Sequence, residues 1–264
     1  MSQNFSPEQQ SYATENQGCA RGIDRLVYWI SRHWLALFNS LVAVYIALPL
    51  LAPVLMNAGA TGPARVIYTI YSPLCHQMAS RSFFLFGEQV AYPRAIAGTS
   101  FTPIEAYMPT LEEFAGASAD PENWAAFLLA ARRFVGNDQM GYKMALCERD
   151  MAIYTAVLFS GLLYGFLRRR ITIKPMPVWA FLIIGLGPIA LDGFSQLFSQ
   201  YLVVLAPQAI PFLPLRESSP YLRTITGALF GFSLVWLTYP HIDAGMQKTE
   251  ADQRQKFEQI QNLS

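Results

Sequence analysis

Long apolar runs alternate with short charged clusters along this chain, and the lengths of the runs carry the first inference. No Asp, Glu, Lys or Arg occurs in residues 33–64, 151–167, 175–191, 193–215 or 224–242. About 20 mostly apolar residues are needed for a helix to cross a bilayer. The pattern predicts four crossings, at residues 34–56, 151–167, 178–198 and 221–240. Pro49 and Pro53 should kink the first. Gly161 and Gly165 in the second, and Gly227 and Gly231 in the fourth, form Gly-x-x-x-Gly pairs that permit close helix approach. Gly185, Gly187 and Pro188 soften the third. The expected fold class is all-α, a polytopic membrane helix bundle.

Two stretches fit less simply. Residues 64–87 are interrupted by Pro73, His76 and Arg81, and residues 199–215 carry Pro207, Pro211 and Pro214, which predicts a bent surface or re-entrant segment. The positive-inside rule arbitrates. Arg21, Arg25 and Arg32 precede the first crossing. Arg168, Arg169, Arg170 and Lys174 separate the second from the third, and Lys248, Arg254 and Lys256 follow the fourth. All three clusters lie on the cytoplasmic side only if an odd number of crossings precedes Met151. Four full crossings are therefore preferred to five or six, with residues 64–87 as a partially inserted helix on the outer side. Both termini are then cytoplasmic, in a multi-pass protein of the cell (inner or plasma) membrane.

The resulting organisation is a polar tail (1–32), a membrane domain (33–243) containing an extracytoplasmic loop (88–149), and a second polar tail (244–264). The first twenty residues lack an apolar core, so no cleavable signal peptide is expected there. The second tail, rich in Gln, Lys and Glu, predicts a short surface helix or a disordered segment. In the loop, Thr110-Leu111-Glu112-Glu113 fits a capping box and Asp120-Pro121 a helix start. Trp124, Phe127, Leu128, Ala131 and Phe134 follow on one helical face. That amphipathic helix would lie on lipid headgroups, or close as a lid over a site.

Composition agrees: 53% of residues are hydrophobic and 14% charged, against about 25% charged in soluble domains. The net charge of +1 gives no reason to expect a nucleic-acid partner. Cys19, Cys75 and Cys147 are too few for a secreted disulfide scaffold and leave one candidate pair, Cys75 with Cys147.

The predicted orientation sorts the polar residues. Cys75, His76, Gln77 and Arg81 lie on the outer segment, Cys147, Glu148, Arg149 and Asp150 at the outer mouth of the second crossing, Asp192 and Gln196 at the outer end of the third, and Arg223, Thr224 and Thr226 near that of the fourth. Polar groups converging at one membrane depth need partners or water. Cys75, His76, Cys147 and Asp150 offer zinc two thiolates, an imidazole and a carboxylate. With three of them bound, water completes the shell and metal-dependent hydrolysis becomes available. Asp192 is then a candidate general base and Glu148 a second, although Glu148 is expected to face loop solvent. Arg223, Gln196, Arg81 and Tyr154 are candidate substrate contacts, with Arg223 suited to an anionic group and Tyr154 expected to face the same cavity. The rival readings are a Cys75–Cys147 disulfide, and transport or a purely structural network in which Asp192 pairs with Arg223; transport ranks third because the polar groups lie mainly at one end.

Cys75-His76-Gln77 with Arg81-Ser82-Phe83-Phe84, then Cys147-Glu148-Arg149-Asp150, Asp192-Gly193-Phe194-Ser195-Gln196 and Arg223-Thr224-Ile225-Thr226-Gly227, resemble the motifs of a family of bacterial and archaeal membrane proteins of unknown function. The resemblance covers residues 67–232. In that pattern a further cysteine stands where this chain has Asp150, which implies a Cys, His, Cys and Cys ligand set with an oxygen replacement here. The large insertion after Gly87 is a second departure. The resemblance implies a site without implying an activity. The expectation is thus a membrane protein with a zinc-type centre at its outer face, hydrolysing a membrane-embedded or lipid-linked substrate. The alternative is a noncatalytic binding or assembly protein with a structural metal or a disulfide. Either could work as an oligomer or within a larger membrane complex.

Overall fold

The computed structural model describes residues 7–117, 124–205 and 215–262, with side chains described throughout except at 7–21, 124, 203–205 and 260–262. The expected helix start at Asp120-Pro121 and the Pro207, Pro211 and Pro214 bend lie outside the described residues. The chain is an all-α polytopic membrane bundle. Four helical stretches are long and apolar enough to cross a bilayer, Gly22–Asn57, Glu148–Leu167, Val178–Leu202 and Pro220–Gln259, and all four expected crossings fall on them. In chain order the helices are α1 (Pro7–Asn57), α2 (Thr61–Tyr71), α3 (Trp124–Arg133), α4 (Glu148–Leu167), α5 (Val178–Ala180), α6 (Gly187–Leu205) and α7 (Pro220–Asn262). A π-helical turn, Phe181–Leu186, joins α5 to α6. The polar tails continue the crossing helices. They meet at one end of the bundle, here the tail end, where Lys256 Nζ lies 2.5 Å from Asp24 Oδ2 and the Tyr28 and Phe257 rings pack edge to face.

Each proline inside α1 and α7 opens a docking point. Proline has no N–H to give to the carbonyl four residues earlier. Pro49 therefore leaves the Tyr45 carbonyl unclaimed, and the Tyr71 hydroxyl donates to it at 2.7 Å. Pro53 leaves the Pro49 carbonyl, which accepts from the Ala145 N–H at 3.4 Å, and Pro240 leaves the Trp236 carbonyl, which accepts from the Met176 N–H at 2.9 Å.

Both Gly-x-x-x-Gly pairs are filled within the chain. A Cβ at Gly227 would lie 2.8 Å from the Arg149 carbonyl oxygen, and one at Gly231 would lie 2.3 Å from that of Ile153. Helices α4 and α7 thus pack backbone to backbone. Gly161 admits Asn39 and Gly165 admits Leu35, seating α1 on the other side of α4.

Between α1 and α4 the chain builds a small domain. The expected partially inserted helix at 64–87 is shorter than predicted: α2 ends at Tyr71, and the chain then turns through a 3-10 helix, Ala79–Arg81, into strand β1 (Phe84–Leu85). With β2 (Gly136–Asn137) and β3 (Gly141–Lys143) this makes an antiparallel sheet of order β1-β3-β2. Gly141, at φ +75°, allows the tight contact, since a Cβ there would lie 2.2 Å from the Leu85 carbonyl oxygen. The expected apolar face of α3 exists, but Phe127, Ala131 and Phe134 bury it against Phe84, Tyr92, Ile104, Leu111 and Phe114. The face closes the domain's own core instead of lying on lipid. No capping box forms at Thr110: its hydroxyl donates to the Tyr107 carbonyl at 2.8 Å, and Leu111 precedes the 3-10 turn Glu112–Phe114.

Candidate metal centre

Cys147 ends the small domain in extended backbone and caps α4, so Glu148, Arg149 and Asp150 form that helix's first turn. The Cys147 thiol donates to Asp150 Oδ2 at 3.2 Å, a contact between the side chains of the N-cap and the third helical residue, with no capping bond from the Cys147 side chain to the helix backbone. Cys75 follows α2, and its sulfur accepts the Cys147 N–H at 3.3 Å. The sulfurs and one Asp150 oxygen all lie within 4.8 Å of one another. His76 is not brought into this group: it is exposed and lines the cavity next to it.

A buried network aligns the cysteine segments. Gln77 adopts φ +51°, a left-handed conformation that a side chain with a Cβ resists. Its Nε2 donates to the Tyr68 and Ala145 carbonyls, both at 2.9 Å. Its own carbonyl accepts from Lys143 Nζ at 2.6 Å, and that ammonium also donates to Arg132 and Ala131 carbonyls at the end of α3. Burial pushes Lys143 down to about 7. Hydrogen bonding from Cys147 lowers the Cys75 thiol below its ordinary value, while the same bond, burial and the Asp150 charge raise Cys147. Cys75 is therefore the first thiolate, the form that binds metals.

The thiols face a cavity of about 340 Å³ whose wall includes Cys75, His76, Gln77, Arg81, Cys147, Arg149, Asp150, Gln196, Gln200 and Arg223. Beneath it the arginines are locked by carboxylates. Glu217 takes two bonds from Arg81, at 2.7 and 3.0 Å, and further bonds from Arg223, Gln196 and Gln200. Glu148 is completely buried and pairs with Arg223 at 3.1 Å, so it does not face loop solvent as expected. Asp192 pairs with Arg149 at 2.5 Å and Arg216 at 2.8 Å, and accepts from Ser218 Oγ at 2.7 Å. The rival reading's Asp192–Arg223 pair does not form; the charges divide into two ion-pair clusters, around Glu217 and around Asp192, linked through Gln196 and Ser218. Neither Asp192 nor Glu148 belongs to the cavity wall. Tyr154 is turned away too, with its ring 4.5 Å from that of Tyr45.

The sequence reading missed Glu217, Arg216, Ser218 and Gln200. One signal was available: Arg216 and Glu217 are the first charges after the uncharged run at 193–215, and charges ending an apolar run at membrane depth require partners.

Residues 138–237 match a family described as "Predicted membrane protein (DUF2085)". The chain is 27% identical over 216 residues, 80% of its length, to "Uncharacterized protein MJ1492" of Methanocaldococcus jannaschii, of which the match spans 93%. No solved structure matches. The chain is thus similar to uncharacterised proteins, one group of them described as membrane proteins, in agreement with its four helices long and apolar enough to cross a bilayer.

Proposed function

We propose that this protein holds a zinc-type ion through Cys75, Cys147 and Asp150 at its extracytoplasmic face and uses it to hydrolyse a membrane-associated substrate. The observation that carries the reading is the convergence of three ligand atoms within 4.8 Å on the wall of a polar cavity. Zinc bonds of 2.0–2.3 Å in tetrahedral geometry set ligand atoms roughly 3.3–3.8 Å apart; Cys147 and Asp150 are already at 3.2 Å, and the widest separation, at most 4.8 Å, closes on an ion with a contraction of no more than about 1.5 Å. The donors fit: two free thiols, of which Cys75 is the more readily ionised, and a carboxylate.

Zinc with a coordination position left open supplies activated water. The chain's own residues do the rest. Arg81, Arg149 and Arg223 present cationic groups to the cavity, while Glu217, Glu148 and Asp192 hold them in place. His76 stands at the wall as a further polar contact.

Metal analysis of the full-length protein in detergent tests this. Stoichiometric zinc, lost in Cys147→Ala, is the expected result. Metal-free wild-type protein, however gently purified, would overturn it. One observation favours a second reading, a structural Cys75–Cys147 disulfide in a noncatalytic protein: the two sulfurs already lie within 4.8 Å. That reading predicts a mass two hydrogens lower and no metal. A zinc shell closed by four protein ligands would leave the ion structural and rule out hydrolysis.

A further inference from the structure

We infer that the cavity is a receptor for the phosphate group of a lipid, with the headgroup among the arginines and the apolar portion leaving sideways into the bilayer. This deepens the reading above, on which it rests for the location of the site, and names the substrate class.

The first ground is the state of the arginine donors. Four guanidinium groups, on Arg81, Arg149, Arg216 and Arg223, are set against three buried carboxylates, Glu148, Asp192 and Glu217. On the cavity wall itself Arg81, Arg149 and Arg223 stand with one carboxylate, Asp150, which is engaged with Cys147. Arg81 and Arg223 spend most of their donors on Glu217 and Glu148. Arg149 does not: one nitrogen meets Asp192, while its buried Nε has no hydrogen-bond partner. A buried donor left unmade costs about 1–3 kcal/mol; the Arg149 side chain is 24% exposed on the cavity wall, so an acceptor entering the cavity that draws the guanidinium forward offsets that cost. A guanidinium fork matches the oxygens of a phosphate group better than a single carbonyl.

The second ground is the mouth. Leu74 and Leu197 line the same cavity, and they are 61% and 47% exposed. Leu197 lies on α6, a membrane-crossing helix whose neighbouring Phe194 and Phe198 are likewise exposed. Exposed apolar residues on a crossing helix face lipid. A polar cavity that opens past such residues suits a ligand with a charged head and an apolar tail. A free anion would use only half of it.

The test uses the full-length protein in a neutral detergent with three probes: dioctanoyl phosphatidic acid, dioctanoylglycerol and inorganic phosphate. Binding is followed by calorimetry, and zinc content is measured on the same samples. Phosphatidic acid should bind saturably and about tenfold or more tighter than either other probe. Arg149→Gln should weaken it by about tenfold while zinc content stays unchanged. Arg149→Lys keeps the charge opposite Asp192 without the fork and should fall between, which guards against a variant that misfolds. Equal binding of phosphatidic acid and dioctanoylglycerol to wild-type protein would overturn the phosphate receptor. Inorganic phosphate binding as tightly as phosphatidic acid would overturn the lipid portion. Phosphatidic acid binding to Cys147→Ala, with zinc lost, would uphold this inference by itself. Absence of zinc from wild-type protein would sink the metal reading alone.

Discussion

The two ends of the bundle bury the same ion-pair chemistry and put it to different use. At the tail end, Asp243 accepts from Trp34 Nε1 at 3.2 Å, Tyr164 OH at 3.3 Å and Gln247 Nε2 at 3.1 Å, and pairs with Arg168. Its donors come from α1, α4 and its C-terminal flank, and α7, and they close on one carboxylate. That is a knot between helices. At the opposite end Arg81, Arg149 and Arg223 line a cavity together with two thiols, Glu148, Asp192 and Glu217 hold those arginines from outside its wall, and Arg149 stays partly exposed. A polar cluster whose bonds all close among themselves ties helices together. One that leaves an arginine partly exposed on a cavity wall is built for something that arrives.

The sharpest way to break this comparison is to remove one carboxylate from each end. Glu217→Ala strands Arg81 and Arg223 in a buried site and should cost about 3–5 kcal/mol of stability. Asp243→Asn should cost less, about 1–3 kcal/mol, because Arg168 is partly exposed and can turn to water. Thermal unfolding of both variants in one detergent measures the difference, and equal losses would erase the distinction between the ends. Zinc content separates them further, since Asp243→Asn should retain the ion that Cys147→Ala loses.

A smaller effect is expected between the glycines. In Gly231→Ala the new methyl meets the Ile153 carbonyl at 2.3 Å, a backbone atom that moves only if α4 and α7 part. The cost should be about 1–3 kcal/mol. In Gly161→Ala it meets the Asn39 side chain, which can swing aside, so the loss should be smaller, as the same unfolding measurement will show.

The remaining effect is a slope, the gain in stability per unit of pH. Lys143 sits near 7 in the folded chain against an ordinary lysine value of 10.5, because burial disfavours its ammonium. Between those values the unfolded chain binds more protons than the folded one. Stability should therefore rise with pH through that window, by at most about 1.4 kcal/mol per pH unit. Lys143→Met should flatten that rise in melting curves recorded between the two values.

The membrane bundle was legible because charge-free runs of crossing length leave little freedom of assignment: the four predicted stretches lie within the four helices. The convergence of Cys75, Cys147 and Asp150 was legible for a similar reason, since helix ends at one membrane depth must meet. The small domain was not. Its strands are two or three residues long, too short to show alternation, and exist through pairing between Phe84 and Lys143, far apart in sequence. Pair choice among charges was also hidden. Asp192 prefers Arg149 and Arg216 to Arg223 because Ser218 and Arg216 approach it from the segment before α7, a matter of tertiary placement that spacing does not record. His76, the imidazole of the expected donor set, needs an irregular backbone after Pro73 to face the same ion as Cys75; it lies on the cavity wall outside the group of three ligand atoms.

The prolines of α1 and α7 carry one more consequence. A regular helix has spent its interior acceptors on its own ladder, so a passing chain can join it only through side chains. Here three rungs are missing, and Tyr71, Ala145 and Met176 each bond where a rung was vacated. Such vacancies exist as soon as the helix forms, before any neighbour is in place. The later segments therefore dock onto vacated sites without having to pry the ladder open, and the register of the small domain on the bundle is written into the positions of Pro49 and Pro53.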